Sequence, residues 1–210
     1  MSTFSRFRGV AAPLDRANVD TGQIFPSRFL RKPRTAGLHQ FLFRDLRYDE
    51  QGNERPDFIL NKPAFRKTQI LVTQSNFGCG SSREWAVHAL VDSGIRCIIA
   101  PSFGEIFQLS CYRNGLLPVV LREADTNALR RDLNDRPGTA LCVDLDAQSV
   151  EAEQLGTFRF EISSSRKSRL KSGLDDCALA LEKLDAIKAF ADVYTAKLPW
   201  NRVEPSLRDR

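Results

Sequence analysis

The spacing of apolar residues changes several times along the chain, and each change marks an element. Thr68–Gln74, TQILVTQ, is an apolar run of strand length. A glycine-rich turn follows. From about Ser82 to Ser93 the pattern shifts to that of one helical face, with Gly94 as the stop. IRCIIAPSF, beginning at Ile95, is apolar almost without interruption, as a strand buried on both faces is. Strand, loop, helix and strand in that order predict a right-handed crossover unit. GEIFQLSCYRNG then reads as a helix closed by Asn114–Gly115, LLPVVL as a strand, and EADTNALRRDLN as a polar-faced helix ended by Pro137–Gly138. ALCVDLDAQSVEA and TFRFEIS alternate like the arms of a hairpin. Leu174, Ala178, Leu181, Leu184, Ile187 and Phe190 recur at the helical period, as one helix or as two with a break. Near the start, FRGVAAPLDRANVDTGQIFP mixes short apolar runs with Pro, Asn and Asp, which predicts short strands and turns. The stretch from Arg31 to Phe65 carries turn signals at Pro33, Gly37, Gly52–Asn53 and Pro56, and reads as a long excursion with one short helix. The expectation is a single α/β domain over residues 1–200, a mixed sheet with helices packed on it, and a flexible tail over 201–210.

Composition narrows the class. The 210 residues are 42% hydrophobic and 27% charged, enough for a core and ordinary for a protein in water. No apolar run has the length of a membrane span, and MSTFSRFRGVAAPLD lacks the apolar stretch of a secretory signal. Cys79, Cys97, Cys111, Cys142 and Cys177 are irregularly spaced, with no C-x-x-C. They predict reduced thiols in a cytoplasmic protein, with neither a disulfide framework nor a zinc or iron–sulfur signature. Two histidines, His39 and His88, leave little for a His-rich metal site, so no metal is expected on this chain. The net charge of +5 is modest. Its clusters, at Arg28, Arg31, Lys32 and Arg34 and at Arg166, Lys167, Arg169 and Lys171, lack the interleaved aromatics of a nucleic-acid groove.

Candidate chemistry concentrates in NFGCGSSREWAVHAL, Asn76–Leu90. Glycines let the backbone approach a ligand or take positive φ. Ser81 and Glu84 fit the capping box S-x-x-E, which places a helix start here. Such a start presents unpaired N–H groups and the positive end of the helix dipole, a site for carboxylate or phosphate. Arg83 adds a fork suited to a carboxylate, and Ser81 and Ser82 add hydroxyls. The same pattern also opens helices that bind nothing. A P-loop is disfavoured, since no lysine follows the second glycine, and a dinucleotide fingerprint lacks its third glycine. Cys79 reads as a small buried filler or a thiol activated by the helix start, and His88 as a surface or helix-packing residue and not a general base.

NFGCGSSRE, IRCIIAPSFGEIF and NGLLPV together resemble the small subunits of 3-isopropylmalate dehydratase, in the aconitase superfamily. The resemblance extends to PLDRANVDTGQIFPSRFL upstream and SGLDDCALALEKLDAI downstream, most of the chain in the right order. It implies the swivelling β/β/α domain, similar to the mobile fourth domain of aconitase. It implies a hydro-lyase subunit of leucine biosynthesis, active only with a large subunit that carries a [4Fe–4S] cluster. The cofactor would be none on this chain, and the pair a cytoplasmic heterodimer acting on a small dicarboxylate. Matched residue by residue, Ser81 is the catalytic base. Arg83 grips a substrate carboxylate, with Ser82 and Gly80 beside it, and Arg34 stands near a second carboxylate-binding arginine. The segment from about His39 to Phe58 corresponds to a variable region that tunes substrate choice. Two departures stand out. The family usually reads D-T-D where this chain has Asp20-Thr21-Gly22, and His where it has Trp85. They leave open a related hydro-lyase for citraconate- or dimethylmalate-type acids, or a non-catalytic carboxylate-binding paralogue.

Overall fold

A computed structural model describes residues 3–81, 84–198 and Trp200. The chain divides into two compact units, Met1–Gly173 and Leu174–Arg210. Residues 201–210, where the sequence predicts a tail, lie outside the described residues.

The first unit is built on a seven-stranded mixed sheet of order β4-β3-β2-β1-β5-β6-β7. Strand β1, Arg6–Leu14, is one nine-residue strand where the pattern predicts short strands and turns. It serves two partners in succession. Arg6–Val10 pair antiparallel with β5, Ala140–Asp144, and Ala11–Leu14 pair parallel with β2, Ile70–Thr73. Gly9 lies beside the changeover: a Cβ there would stand 2.9 Å from Gln69 Cβ, so a larger residue would push the neighbouring segment away. The crossover from β2 through α3, Glu84–Asp92, leads to β3, Cys97–Ala100; α4, Glu105–Arg113, leads to β4, Leu117–Val120. Both added strands are parallel to their neighbours. Helix α5, Glu123–Asp135, returns the chain to β5, from which β6, Ser149–Ala152, and β7, Gly156–Arg159, continue as antiparallel hairpins.

Every residue of β2 and β3 is buried. The strand period sorts them into two cores. Leu71, Ile98 and Ala100 join Ala86, Val87, Ala89 and Leu90 of α3 on one face. Ile70, Val72, Cys97 and Ile99 face Leu129 and Leu133 of α5 on the other. This is why the run at Ile95 shows no alternation. The hairpins show it, because one of their faces is wet: β5 reads half-buried and buried in turn.

The excursion between β1 and β2 is a packed layer. Its short helices α1, Thr21–Ile24, and α2, Arg44–Arg47, and several 3₁₀ turns close over the first core with Ile24, Phe25, Leu38, Leu42, Phe43, Phe58 and Phe65. Phe25, Phe29 and Phe41 meet edge-on and stacked. Asn61, 4% exposed, holds the turns together. It accepts from Arg47 Nε at 3.0 Å and donates to the carbonyls of Arg47 at 2.7 Å and Arg55 at 3.0 Å. A buried amide is tolerated because its polar atoms are satisfied.

One helix has no counterpart in the apolar pattern. Helix α6, Ser164–Ser172, takes in the second basic cluster and buries only Leu170. Its start is capped by Ser163, and the carbonyl of Leu170 accepts from Phe4 N at 2.9 Å. In the second unit, α7, Asp176–Leu181, and α8, Leu184–Lys197, are two helices with a break at Glu182–Lys183. Asp175 caps α7 by accepting from Ala178 N at 2.8 Å.

Candidate active site

The glycine-rich turn is bound on both sides. The backbone N–H of Gly78 donates to Val19 O at 2.7 Å, and Thr21 N donates to Cys79 O at 3.1 Å, so the two segments meet in a parallel β-bridge between Asp20 and Cys79. On the other side Phe77 N donates to Ser102 O at 3.1 Å and Gly104 N to Phe77 O at 2.9 Å. Two glycines make this approach possible. A Cβ on Gly104 would lie 2.4 Å from Gly78 O; one on Gly78 would lie 2.2 Å from Phe107 Cγ, and Gly78 sits at φ +73°. Turn 78–81 is thus clamped between the end of β1's loop and the start of α4, at the carboxyl ends of the parallel strands, where open α/β sheets bind ligands.

Gly80 and Ser81 emerge from this clamp exposed, beside Asp20. Ser82 and Arg83 lie outside the described residues. Helix α3 is described from Glu84, three residues after Ser81. The Glu84 side chain does not close a capping box: its Oε1 accepts from Asn114 Nδ2 at 2.9 Å, tying α3 to the end of α4. Asp20 caps α1, accepting from Gln23 N at 2.8 Å and Gln23 Nε2 at 3.2 Å. A Cβ on Gly22 would stand 3.0 Å from Asp20 Oδ1, so a second aspartate there would face the first.

Arg34 is placed elsewhere. Its guanidinium pairs with Asp92 Oδ1 at 3.7 Å, at the far end of α3. Eight residues at about 1.5 Å each put that pair about 12 Å along the helix from Glu84. Trp85 packs against the first core, and its Nε1 donates to Lys32 O at 3.2 Å, fastening the basic loop to α3. Next to it stands His88, whose ring centre lies 6.0 Å from that of Trp85. Burial, and then the Arg34 charge, push the His88 imidazole below its ordinary pKa, against smaller opposing effects of Glu84 and Asp92. Its Nδ1 is buried without a hydrogen-bond partner, which suits a neutral ring with the proton on Nε2. His88 is therefore a packing residue here. Cys97 and Cys111 are fully buried, and burial holds both thiols far above their usual range. Cys79 is half-buried. Among the described residues no group of three or more His, Cys, Asp or Glu could hold a metal ion.

The comparisons with known proteins meet this geometry. The family described as Aconitase C-terminal domain matches residues 1–124, the part that contains the whole clamp. The 3-isopropylmalate dehydratase small subunit of Dinoroseobacter shibae is 46% identical over 200 residues, covering 95% of this chain and all of that one. That of Jannaschia sp. is also 46% identical, with the same coverage. The chain belongs to the family of 3-isopropylmalate dehydratase small subunits. The crystal structure of 3-isopropylmalate dehydratase from Methanocaldococcus jannaschii is similar to it, with a TM-score of 0.63 at 25% identity over 88% of this chain and 99% of that one. In this family, the swivel-domain fold read from the sequence is the fold observed: an α/β mixed sheet with packed helices.

Sequence reasoning did not find Thr21. It is 2% exposed, and its Oγ1 donates to the Ser81 carbonyl at 2.5 Å. No local pattern shows this bond, which spans 60 positions. It did not find the Gly104–Gly78 contact either. The signal was present as a glycine opening GEIFQ, but nothing in the sequence says what approaches it.

Proposed function

We propose that this chain is the small subunit of a 3-isopropylmalate dehydratase. Together with a large subunit it would interconvert 2-isopropylmalate and 3-isopropylmalate through isopropylmaleate, in leucine biosynthesis. The single observation that carries the reading is the clamped turn: it sets an exposed serine three residues ahead of α3, in a chain 46% identical over 95% of its length to a protein of that name. An exposed serine is a weak base in water. It becomes useful once a partner covers it, because the helix dipole and neighbouring cations then act in a water-excluded site. Ser81 would take the proton from the carbon next to a carboxylate. Arg83, with Ser82 and the backbone of Gly80, would hold that carboxylate. Arg34 could contribute only by leaving Asp92. The [4Fe–4S] cluster has no ligands in this reading on the present chain and belongs to the large subunit, where it would supply a Lewis acid for the departing hydroxyl. The complex would work in the cytoplasm, and no helix among the described residues is long and apolar enough to cross a membrane.

A related substituted malate is the second reading. It is favoured by Gly22, which carries no carboxylate where the family usually has its second aspartate, at a position whose Cβ would stand 3.0 Å from Asp20 Oδ1. One experiment separates them. The chain, mixed with a cluster-loaded large subunit, is offered 2-isopropylmalate, citraconate and 2,3-dimethylmalate in turn. Preference for 2-isopropylmalate by kcat/KM supports the first reading, and preference for either other acid supports the second. Failure to turn over any of them, with association intact, leaves the non-catalytic paralogue.

A further inference from the structure

We propose that Thr21 is a positioning residue for Ser81. The inference rests on the assignment of Ser81 as the base, and it concerns what holds that residue in place.

Segments 19–21 and 78–81 pair through Gly78 N to Val19 O and Thr21 N to Cys79 O. Were this bridge extended as a parallel ladder, the next donor to Ser81 O would be the N–H of residue 23. That N–H is not available. Helix α1 begins at Thr21, and Gln23 N turns inward to the carboxylate of its cap, Asp20, at 2.8 Å. The Ser81 carbonyl therefore loses its strand partner at the residue that carries the reacting hydroxyl. The Thr21 side chain supplies the missing rung, with Oγ1 at 2.5 Å from Ser81 O.

The donor is itself fixed. Thr21 is 2% exposed, its N–H is committed to Cys79 O, and its carbonyl accepts from Phe25 N at 2.9 Å. A β-branched side chain in such a setting has few rotamers to choose from. The acceptor side is the less constrained one. Ser81 is exposed and is preceded by Gly80 at φ +84°, a residue with wide conformational freedom. A single hydroxyl thus decides whether the serine leaves the clamp in one direction or several. Because Thr21 is buried behind the turn, it acts through Ser81.

The test uses the complex with the cluster-loaded large subunit and 2-isopropylmalate. Thr21→Val keeps the shape and removes the donor; Thr21→Ser keeps the donor. Positional slack of about 1 Å costs on the order of a hundredfold in rate. Thr21→Val is therefore expected to lower kcat by roughly ten- to a hundredfold while KM stays within about threefold, and Thr21→Ser to stay within about threefold of wild type in both. The second readout needs no turnover: amide hydrogen exchange of a peptide covering Gly80–Ser81 should quicken in Thr21→Val and stay at the wild-type rate in Thr21→Ser. Wild-type kcat in Thr21→Val overturns the proposal, as does a Thr21→Ser enzyme as impaired as Thr21→Val. Should Thr21→Val fail to fold, Thr21→Ser alone decides: wild-type kcat and exchange uphold the rung, and loss of either refutes it. Ser81→Ala run alongside separates the two layers. Full turnover there removes the base assignment, while the exchange result still judges the rung.

Discussion

Replacing Gly78 by alanine perturbs the clamp at its tightest point. The added Cβ would lie 2.2 Å from Phe107 Cγ and 2.3 Å from Phe107 Cδ1, at a backbone φ of +73°. An L-residue in the left-handed region costs about 1–2 kcal/mol by itself. Phe107 cannot simply turn away. It is 2% exposed and edge-on to Phe77, whose ring centre is 5.5 Å off, so relief means repacking the first core at about 1–3 kcal/mol. Gly78→Ala should therefore destabilise the fold by about 2–5 kcal/mol and lower Tm by on the order of 10 °C. Urea unfolding followed by circular dichroism measures the first and a thermal scan the second. A double-mutant cycle with Phe107→Ala separates the causes. Truncating the ring costs about 3–5 kcal/mol alone. In its absence the nearest remaining contact is the residue-107 Cβ at 2.8 Å, so Gly78→Ala should keep the backbone cost of about 1–2 kcal/mol and only part of the steric cost. Two results would refute the reasoning: a Gly78→Ala protein within about 0.5 kcal/mol of wild type, or the same cost for the substitution with and without the ring.

Three further outcomes follow from the packing and the charges. Asn61→Ala removes three hydrogen bonds at about 1 kcal/mol each, so urea unfolding should show a loss of about 2–3 kcal/mol. His88 has a folded-state pKa below its unfolded value, so the unfolded chain binds more protons in acid; stability should be full above about pH 6.5, fall as pH drops below it, and fall less steeply in His88→Gln, as unfolding midpoints across pH 5–8 would show. Cys97 and Cys111 are buried and held as thiols, so iodoacetamide should spare them in the native protein while alkylating the exposed Cys177, a pattern read by peptide mass spectrometry and lost in denaturant.

What could be read in advance depended on how local its cause was. β2 and β3 were legible because burial on both faces makes a strand apolar throughout, and α5 because its apolar positions follow one face. The length of β1 was not, since Gly9 and Pro13 look like turn residues until the partner strands are known. Helix α6 escaped because it buries a single leucine; its basic residues read as surface charge, whereas Arg166, Lys167 and Arg169 are half-buried and Lys171 alone of the four is exposed. At the site, the glycine turn and the exposed serine were legible as residue types. The holding of Ser81 was not, because Thr21 lies far away in sequence. Arg34 shows the same limit from the other side. Its residue type suits a carboxylate, and the carboxylate it meets in this structure is Asp92.

The central claim is that the clamp presents the Ser81 hydroxyl to a carbon acid whose hydroxyl departs on the partner's side. Its most direct test follows deuterium from solvent into 3-isopropylmalate, at the carbon that bears the isopropyl group, in complexes of wild type and Ser81→Ala with the large subunit. Ser81→Ala should bind the large subunit as wild type does and lose both turnover and deuterium uptake by at least about a thousandfold, as removal of a proton-transfer group that acts in every cycle does. Undiminished uptake and turnover in Ser81→Ala would contradict the account.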